Sequence, residues 1–190
     1  MHPQLFLASS SPYRRSLLMR LGLQFNWAAP SINESSLPGE PPESLVERLS
    51  KNKGAHLHKP DQITIASDQI AFTNGQILGK PLTKERATTQ LTQCSNNTVT
   101  FYTGLSVKFH DQEIYSLHTT TVRFIPLSAS QIDRYIDLES PLDCAGSFKC
   151  EGLGISLFSS IHSNDPTGLE GLPLIKLTLA LRKYGVDPLN

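Results

Sequence analysis

Two long strand patterns, residues 98–109 and 113–124, follow one another with no helical pattern between them. Apolar spacing of this kind reads as paired strands, and the pair predicts an antiparallel β unit. Elsewhere strands and helices alternate. Strands are expected at 4–8, 63–67 and 154–161, and helices at 12–22, 43–58, 83–93, 128–138 and 171–184. Thr83 and Ser128 open helix-start patterns, while Gly22 and Gly185 sit where helices stop. An antiparallel unit beside strand–helix units predicts an α/β fold: a mixed twisted sheet flanked by helices, with two lobes and a central active-site cleft. The 190 residues fit one domain, 1–190, without internal repeat or low-complexity linker.

Composition narrows the function classes. Lys plus Arg and Asp plus Glu both total 17, so the formal net charge is zero. That balance argues against a nucleic-acid or anionic-membrane surface, so an anionic ligand would be met by a few placed cations. No apolar run approaches a membrane span, and the apolar part of MHPQLFLASSSPYRR is too short for a signal peptide. A cytoplasmic protein is expected. Cys94, Cys144 and Cys150 form no CxxC pair and read as inert thiols of a reducing compartment. The chain contains neither GxxxxGK[ST] nor GxGxxG after a strand, which removes two common nucleotide-binding signatures.

The residues that could carry chemistry are cations and acids. In LASSSPYRRSLLMRLG, Ser11 is a natural N-cap and Pro12 suits the first helical position. The first turn's unpaired N–H groups and the serine hydroxyls could cradle an anion, although a serine–proline helix start is equally a common structural cap. Arg14 precedes Leu17, Leu18 and Leu21 by three, four and seven residues, which places it on the buried face. Lys53 follows Val46 and Leu49 on the inner face of the next helix, where it could also snorkel to water; Lys51 lies off that stripe. Asp68 closes the apolar run ITIAS, a costly place for a carboxylate unless something pairs with it. Glu34 lies in a long polar loop at 31–44, and Lys80 is held extended by Pro81. A second loop covers 162–171. Two acids with Arg14, Lys53 and Lys80 suggest a metal-assisted site for a polyphosphate, with Mg²⁺ or Mn²⁺ between oxygen ligands.

The segments LASSSPYRRSLLMRLGL, INE, SDQ, GQILGKPLT, FYTGL, CAGSFKCEGLG and GLPL occur in an order that resembles the Maf family of nucleoside triphosphate pyrophosphatases. The resemblance runs almost from end to end. It is strongest to the branch that hydrolyses 7-methyl-GTP, which carries SDQ and a Glu after GSFK-x, where the thymidine and uridine branch carries ADT and Gln. It implies a two-lobed Maf or ITPase-like fold. It also implies hydrolysis of 7-methyl-GTP to 7-methyl-GMP and pyrophosphate, a house-cleaning reaction dependent on a divalent cation. By position, Asp68 matches the catalytic acid described as proton acceptor. Ser9, Arg14, Lys53 and Lys80 match phosphate-binding positions, and Glu34, with Asp68, an acid associated with metal. Tyr13, Gln69 and Glu151 match three positions linked to base selection. Asn33 stands where the family often has Asp, Tyr13 where this branch often has Trp, and Gly54 replaces a frequent Ala.

These residue types suit a methylated guanine. N7 methylation makes the ring cationic, so Tyr13 gains a cation–π contribution on top of stacking. A carboxylate at Glu151 accepts from N1–H and the exocyclic amine together, whereas Gln would suit a pyrimidine edge. Glu151 could instead be a loop acid paired with Lys149. Other readings stay open here: the same chemistry on dTTP, UTP or a broad set of modified nucleotides, or a nucleotide-binding regulator of septum formation. The expected partner is a small-molecule nucleoside triphosphate, not a nucleic acid or a membrane, and a homodimer is left open.

Overall fold

The computed structural model describes residues 3–190. Its elements are β1 (Gln4–Ala8), α1 (Pro12–Met19), β2 (Phe25–Ala28), α2 (Pro42–Leu57), β3 (Gln62–Thr73), β4 (Gln76–Leu78), α3 (Lys84–Cys94), β5 (Thr98–Phe109), β6 (Gln112–Phe124), α4 (Ala129–Glu139), β7 (Phe158–His162) and α5 (Leu174–Lys183). Short 3₁₀ turns occupy Ala145–Ser147, Leu153–Leu157 and Pro166–Gly168. The sheet order is β2-β1-β3-β5-β6-β7, with β4 paired to β3. β1 runs parallel to β2 and β3, whereas β3–β4 and β6–β7 are antiparallel, so the sheet is mixed as the sequence predicts.

Local chemistry explains most boundaries. The Ser11 hydroxyl accepts from Arg14 N and Pro12 fills the first turn of α1. Thr83 caps α3 in the same way, and Ser128 with Gln131 forms a reciprocal capping box on α4. Four expectations need correction. β2 and β4 are strands that the apolar pattern does not mark: they have four and three residues and are half or more exposed. β3 extends to Thr73 because Ile70, Ala71 and Thr73 are still buried after Asp68. Residues 153–157 are a 3₁₀ turn, so β7 starts only at Phe158. Finally, α5 starts at Leu174, because Gly171 takes φ 101° and Pro173 stands at the N-cap.

The chain divides into two compact units. The first holds the chain up to Asp68, Thr103–His118 and Asp165–Asn190; the second holds Gln69–Tyr102 and Thr119–Asn164. The first is built on an aliphatic core in which Leu7, Leu17, Ile65, Val107, Leu177 and Leu181 are fully buried. Each such side chain contributes ~1.5–3 kcal/mol by leaving water. The second has an aromatic centre: Phe148 meets Phe101 edge-on at 5.1 Å and Phe158 at 4.9 Å.

Candidate active site

Asp68 is buried within β3, with strand continuing beyond it, rather than at a strand end. What makes that tolerable is Lys53. The buried face of α2 presents this residue seven after Val46 and four after Leu49, and its Nζ lies 2.5 Å from Asp68 Oδ1. The same ammonium lies 3.0 Å from Glu34 Oε2, so one cation bridges two carboxylates. Snorkelling is not its fate: the side chains of Lys53 and Asp68 are each 8% exposed. Lys51 behaves as a surface charge, paired with Glu47 one turn earlier on the same helix.

Arg14 supplies the second cation. From the first turn of α1 its Nε donates to the Gly171 carbonyl oxygen at 2.9 Å, and its Nη1 lies 3.5 Å from Ser9 Oγ. Ser9 is buried, and its hydroxyl also accepts from Ser11 N at 3.1 Å. Burial pushes the Arg14 guanidinium below its ordinary value, while the charges of Asp68 and then Glu34 pull it up. It stays charged at neutral pH because its ordinary value is so high. Tyr13 is half-buried beside it on α1.

The loop that carries Glu34 is anchored by groups the sequence reading does not single out. Arg48 on α2 grips Glu40 with Nε at 2.6 Å from Oε1, and its Nη2 donates to the Ser35 carbonyl oxygen at 3.0 Å. Glu40 Oε2 also accepts from Leu37 N at 2.9 Å. The hydrogen bond from Arg48, joined by that from Leu37, holds the Glu40 carboxyl down at about 2. The loop is shorter than expected, since Pro42 already begins α2.

Ser9, Arg14, Glu34, Lys53 and Asp68 thus all belong to the first unit, and the structure brings them together. Gln69, Lys80 and Glu151 belong to the second. Gln69 directly follows Asp68 in β3, and Lys80 is exposed just after β4. Glu151 is exposed on a loop fastened by Glu139, whose Oε1 accepts from Leu153 N at 2.8 Å. Lys149 gives its ammonium to the Glu139 carbonyl oxygen at 2.8 Å, while Cys150 Sγ lies 3.5 Å from Glu151 Oε2. Glu139 was not visible as a site-building residue in sequence. Neither was Ser67, which bonds a backbone carbonyl, an acceptor with no side-chain signature. Asp165 did leave a signal: Asp-Pro-Thr is a helix-start pattern, and its carboxylate caps the turn there.

A separate cavity of about 960 Å³ in the first unit is lined by Arg15, Met19, Phe25, Trp27 and Asp187 among others. None of the acids or cations above lines it, and Arg15 is stacked 4.0 Å over Trp27. The bridged carboxylates lie outside this cavity. Glu34 and Asp68 present two carboxylate oxygens to one ammonium. That donor set fits Mg²⁺ or Mn²⁺, which take one or two carboxylates and complete their shell with phosphate oxygens and water. Among the described residues no group of three His, Cys, Asp or Glu could hold a metal by itself.

Residues 4–184 match the family model described as Maf-like protein. The chain belongs to the Maf family. Among curated proteins this Maf chain is 51% identical over 186 residues to the 7-methyl-GTP pyrophosphatase of Pseudomonas putida, covering 96% of this chain and 97% of that one. It is 50% identical over 189 residues to the protein of that name in Pseudomonas aeruginosa, covering 97% and 98%. The protein so named in Xanthomonas axonopodis pv. citri is 50% identical over 185 residues, covering 96% and 97%.

Proposed function

We propose that this Maf chain is a hydrolase of acid anhydrides that converts 7-methyl-GTP to 7-methyl-GMP and pyrophosphate. The observation that carries the reading is the single ammonium of Lys53 held between Asp68 and Glu34, with Arg14 charged beside them. Similarity to relatives named for this activity, over nearly the full length of each chain, supports the choice of substrate.

In this reading Asp68 accepts the proton of the attacking water at its carboxylate, and the nucleophile meets the α-phosphorus. Lys53 leaves the carboxylates for phosphate oxygens, joined by Arg14, the Ser9 hydroxyl and Lys80. Their positive charge is worth most where negative charge grows on the leaving pyrophosphate. Glu34 and Asp68 would hold Mg²⁺ or Mn²⁺, which supplies charge neutralisation at the phosphates when bound. Tyr13 stacks on the cationic base, Gln69 lies beside it, and Glu151 accepts from its Watson–Crick edge.

We take residues 1–190 as one Maf-like domain acting in the cytoplasm on a free nucleotide. The balanced charge supports the absence of a nucleic-acid partner, and among the described residues no helix is long and apolar enough to cross a membrane. Assembly as a homodimer is compatible with the reading and is measured by sedimentation. A panel of 7-methyl-GTP, GTP, dTTP and UTP with Mg²⁺ or Mn²⁺, scored by pyrophosphate release, tests the function. Preference for 7-methyl-GTP is expected. Preference for dTTP or UTP would move the chain to the other branch, and binding without turnover would favour a regulator.

A further inference from the structure

Arg14 and Ser67 donate to the same atom. The Gly171 carbonyl oxygen accepts from Arg14 Nε at 2.9 Å and from Ser67 Oγ at 2.8 Å. Ser67 is fully buried and immediately precedes Asp68 in β3. One oxygen therefore ties the guanidinium on α1 to the strand residue next to the acid.

That oxygen is held in place by a turn built on Asp165. This residue is 2% exposed, a position where a carboxylate must be fully hydrogen-bonded. Its Oδ1 accepts from Thr167 N at 3.1 Å and lies 2.8 Å from Thr167 Oγ1, while its Oδ2 accepts from Ile175 N at 2.7 Å. The carboxylate thus spans the turn, from the 3₁₀ segment to the first turn of α5. Within that span Gly168 N donates to the Asp165 carbonyl oxygen at 3.0 Å, and Gly171 N to the Gly168 carbonyl oxygen at 3.1 Å. Thr103 Oγ1 pins the Gly168 carbonyl at 3.0 Å. A side chain at position 168 would place its Cβ 2.1 Å from the His118 ring, so the backbone must pass there as glycine. Gly171, at φ 101°, turns the chain so that its carbonyl stands outside α5.

We propose that Asp165 is a positioning residue for the hydrolysis. By fastening the 165–171 turn it aims the Gly171 carbonyl at Arg14 and Ser67, and through them sets where the phosphate meets Asp68. This rests on the assignment of Arg14 to phosphate binding.

The test is Asp165→Asn. Asparagine keeps one acceptor for Thr167 but turns an amine toward Ile175 N–H, so donor faces donor. With 7-methyl-GTP, kcat/KM should fall about ten-fold, chiefly through KM, and in an Arg14→Ala background the same change should cost under about two-fold, because both act through one guanidinium. The Arg14 Nε–H signal in a ¹⁵N NMR spectrum gives a readout independent of turnover. It should exchange slowly with solvent in the native chain and several-fold faster in Asp165→Asn. Should that variant not fold, Thr167→Val, which removes the hydroxyl 2.8 Å from Asp165 Oδ1, carries the same cycle and the same NMR measurement, with a smaller rise in KM expected. Equal losses in both backgrounds, or unchanged Nε–H exchange, would overturn the proposal. If the native chain turns over no nucleotide, the hydrolase reading fails while the Nε–H signal still decides the positioning role.

Discussion

Lys53 Nζ lies 2.5 Å from Asp68 Oδ1, and both side chains are 8% exposed. Removing two charges from water costs several kcal/mol each, which their attraction offsets only with close geometry and further partners. Glu34 at 3.0 Å supplies one such partner. With Arg14 nearby, two acids face two cations, so the site is electrically balanced before any nucleotide arrives. In the proposed reading, a triphosphate would change that balance by offering Lys53 and Arg14 more negative charge than the carboxylates do.

Asp68→Asn keeps the shape and removes the charge. Turnover should fall by ~10²–10⁴, the usual contribution of a positioned acid–base group, while nucleotide affinity changes far less. Glu34 still faces Lys53, so the loss of stability should stay near ~1–3 kcal/mol. Steady-state kinetics and urea unfolding measure the two effects. A variant with near-native turnover would remove Asp68 from the mechanism.

Chelation should stop hydrolysis without unfolding the chain. The fold does not need the metal in this reading, because Lys53 and Arg14 together already balance the two carboxylates. Activity and far-UV circular dichroism are followed together during treatment with EDTA, and Mg²⁺ or Mn²⁺ should restore the rate. Full activity after exhaustive chelation would dispose of the two-acid metal site.

Glu40 gives the loop of Glu34 a defined response to acid. Its carboxyl sits at about 2, below the ordinary 4.5, chiefly through the hydrogen bond from Arg48 and then that from Leu37. A carboxyl depressed by folding stabilises the folded chain fully above its unfolded value. That contribution shrinks as pH falls from about 4.5 and is gone below about 2. Glu40→Gln should flatten this part of the stability–pH curve and bring Glu34 to a looser position, seen as a higher KM at neutral pH. A ¹³C titration of the Glu40 carboxyl with an ordinary midpoint would contradict the account.

The sequence reveals side-chain periodicity and hides what depends on carbonyls and distant partners. The stripe through Val46 and Leu49 puts Lys53 on the inner face, and the structure decides for burial over snorkelling; the spacing of Arg14 against Leu17 and Leu18 turns it inward, as the structure shows. The helix caps at Ser11, Thr83 and Ser128 are local chemistry and all appear as expected. β2 escapes detection because its four residues, two of them exposed, make too short a pattern to read as a strand. Its register is set by pairing with β1, as in Leu5 opposite Phe25. In sequence β3 reads as ending at Asp68 only because a charge interrupts its apolar run, and the partner that allows the strand to continue lies fifteen residues earlier in the chain, on α2. The Gly171 carbonyl is invisible for a simpler reason: every residue has one.

Glu151 and Tyr13 should choose the base. Glu151 is exposed, so Glu151→Gln should leave stability within ~0.5 kcal/mol and act on recognition alone. Glutamine presents an amine where 7-methylguanine also presents donors. Losing one charge-assisted hydrogen bond and opposing a second donor should cost on the order of 2–4 kcal/mol for 7-methyl-GTP. UTP and dTTP should lose far less. Tyr13→Ala should be milder, ~1–3 kcal/mol, if stacking here matches that on single strands. Glu139→Ala provides the contrast, since Glu139 fastens the loop through Leu153 N and is not among the residues proposed to read the base. Loosening that loop should weaken all nucleotides alike, whereas Glu151→Gln should divide them. Pyrophosphate release from each nucleotide gives the comparison, and equal losses for methylated and pyrimidine substrates in Glu151→Gln would reduce Glu151 to a loop acid.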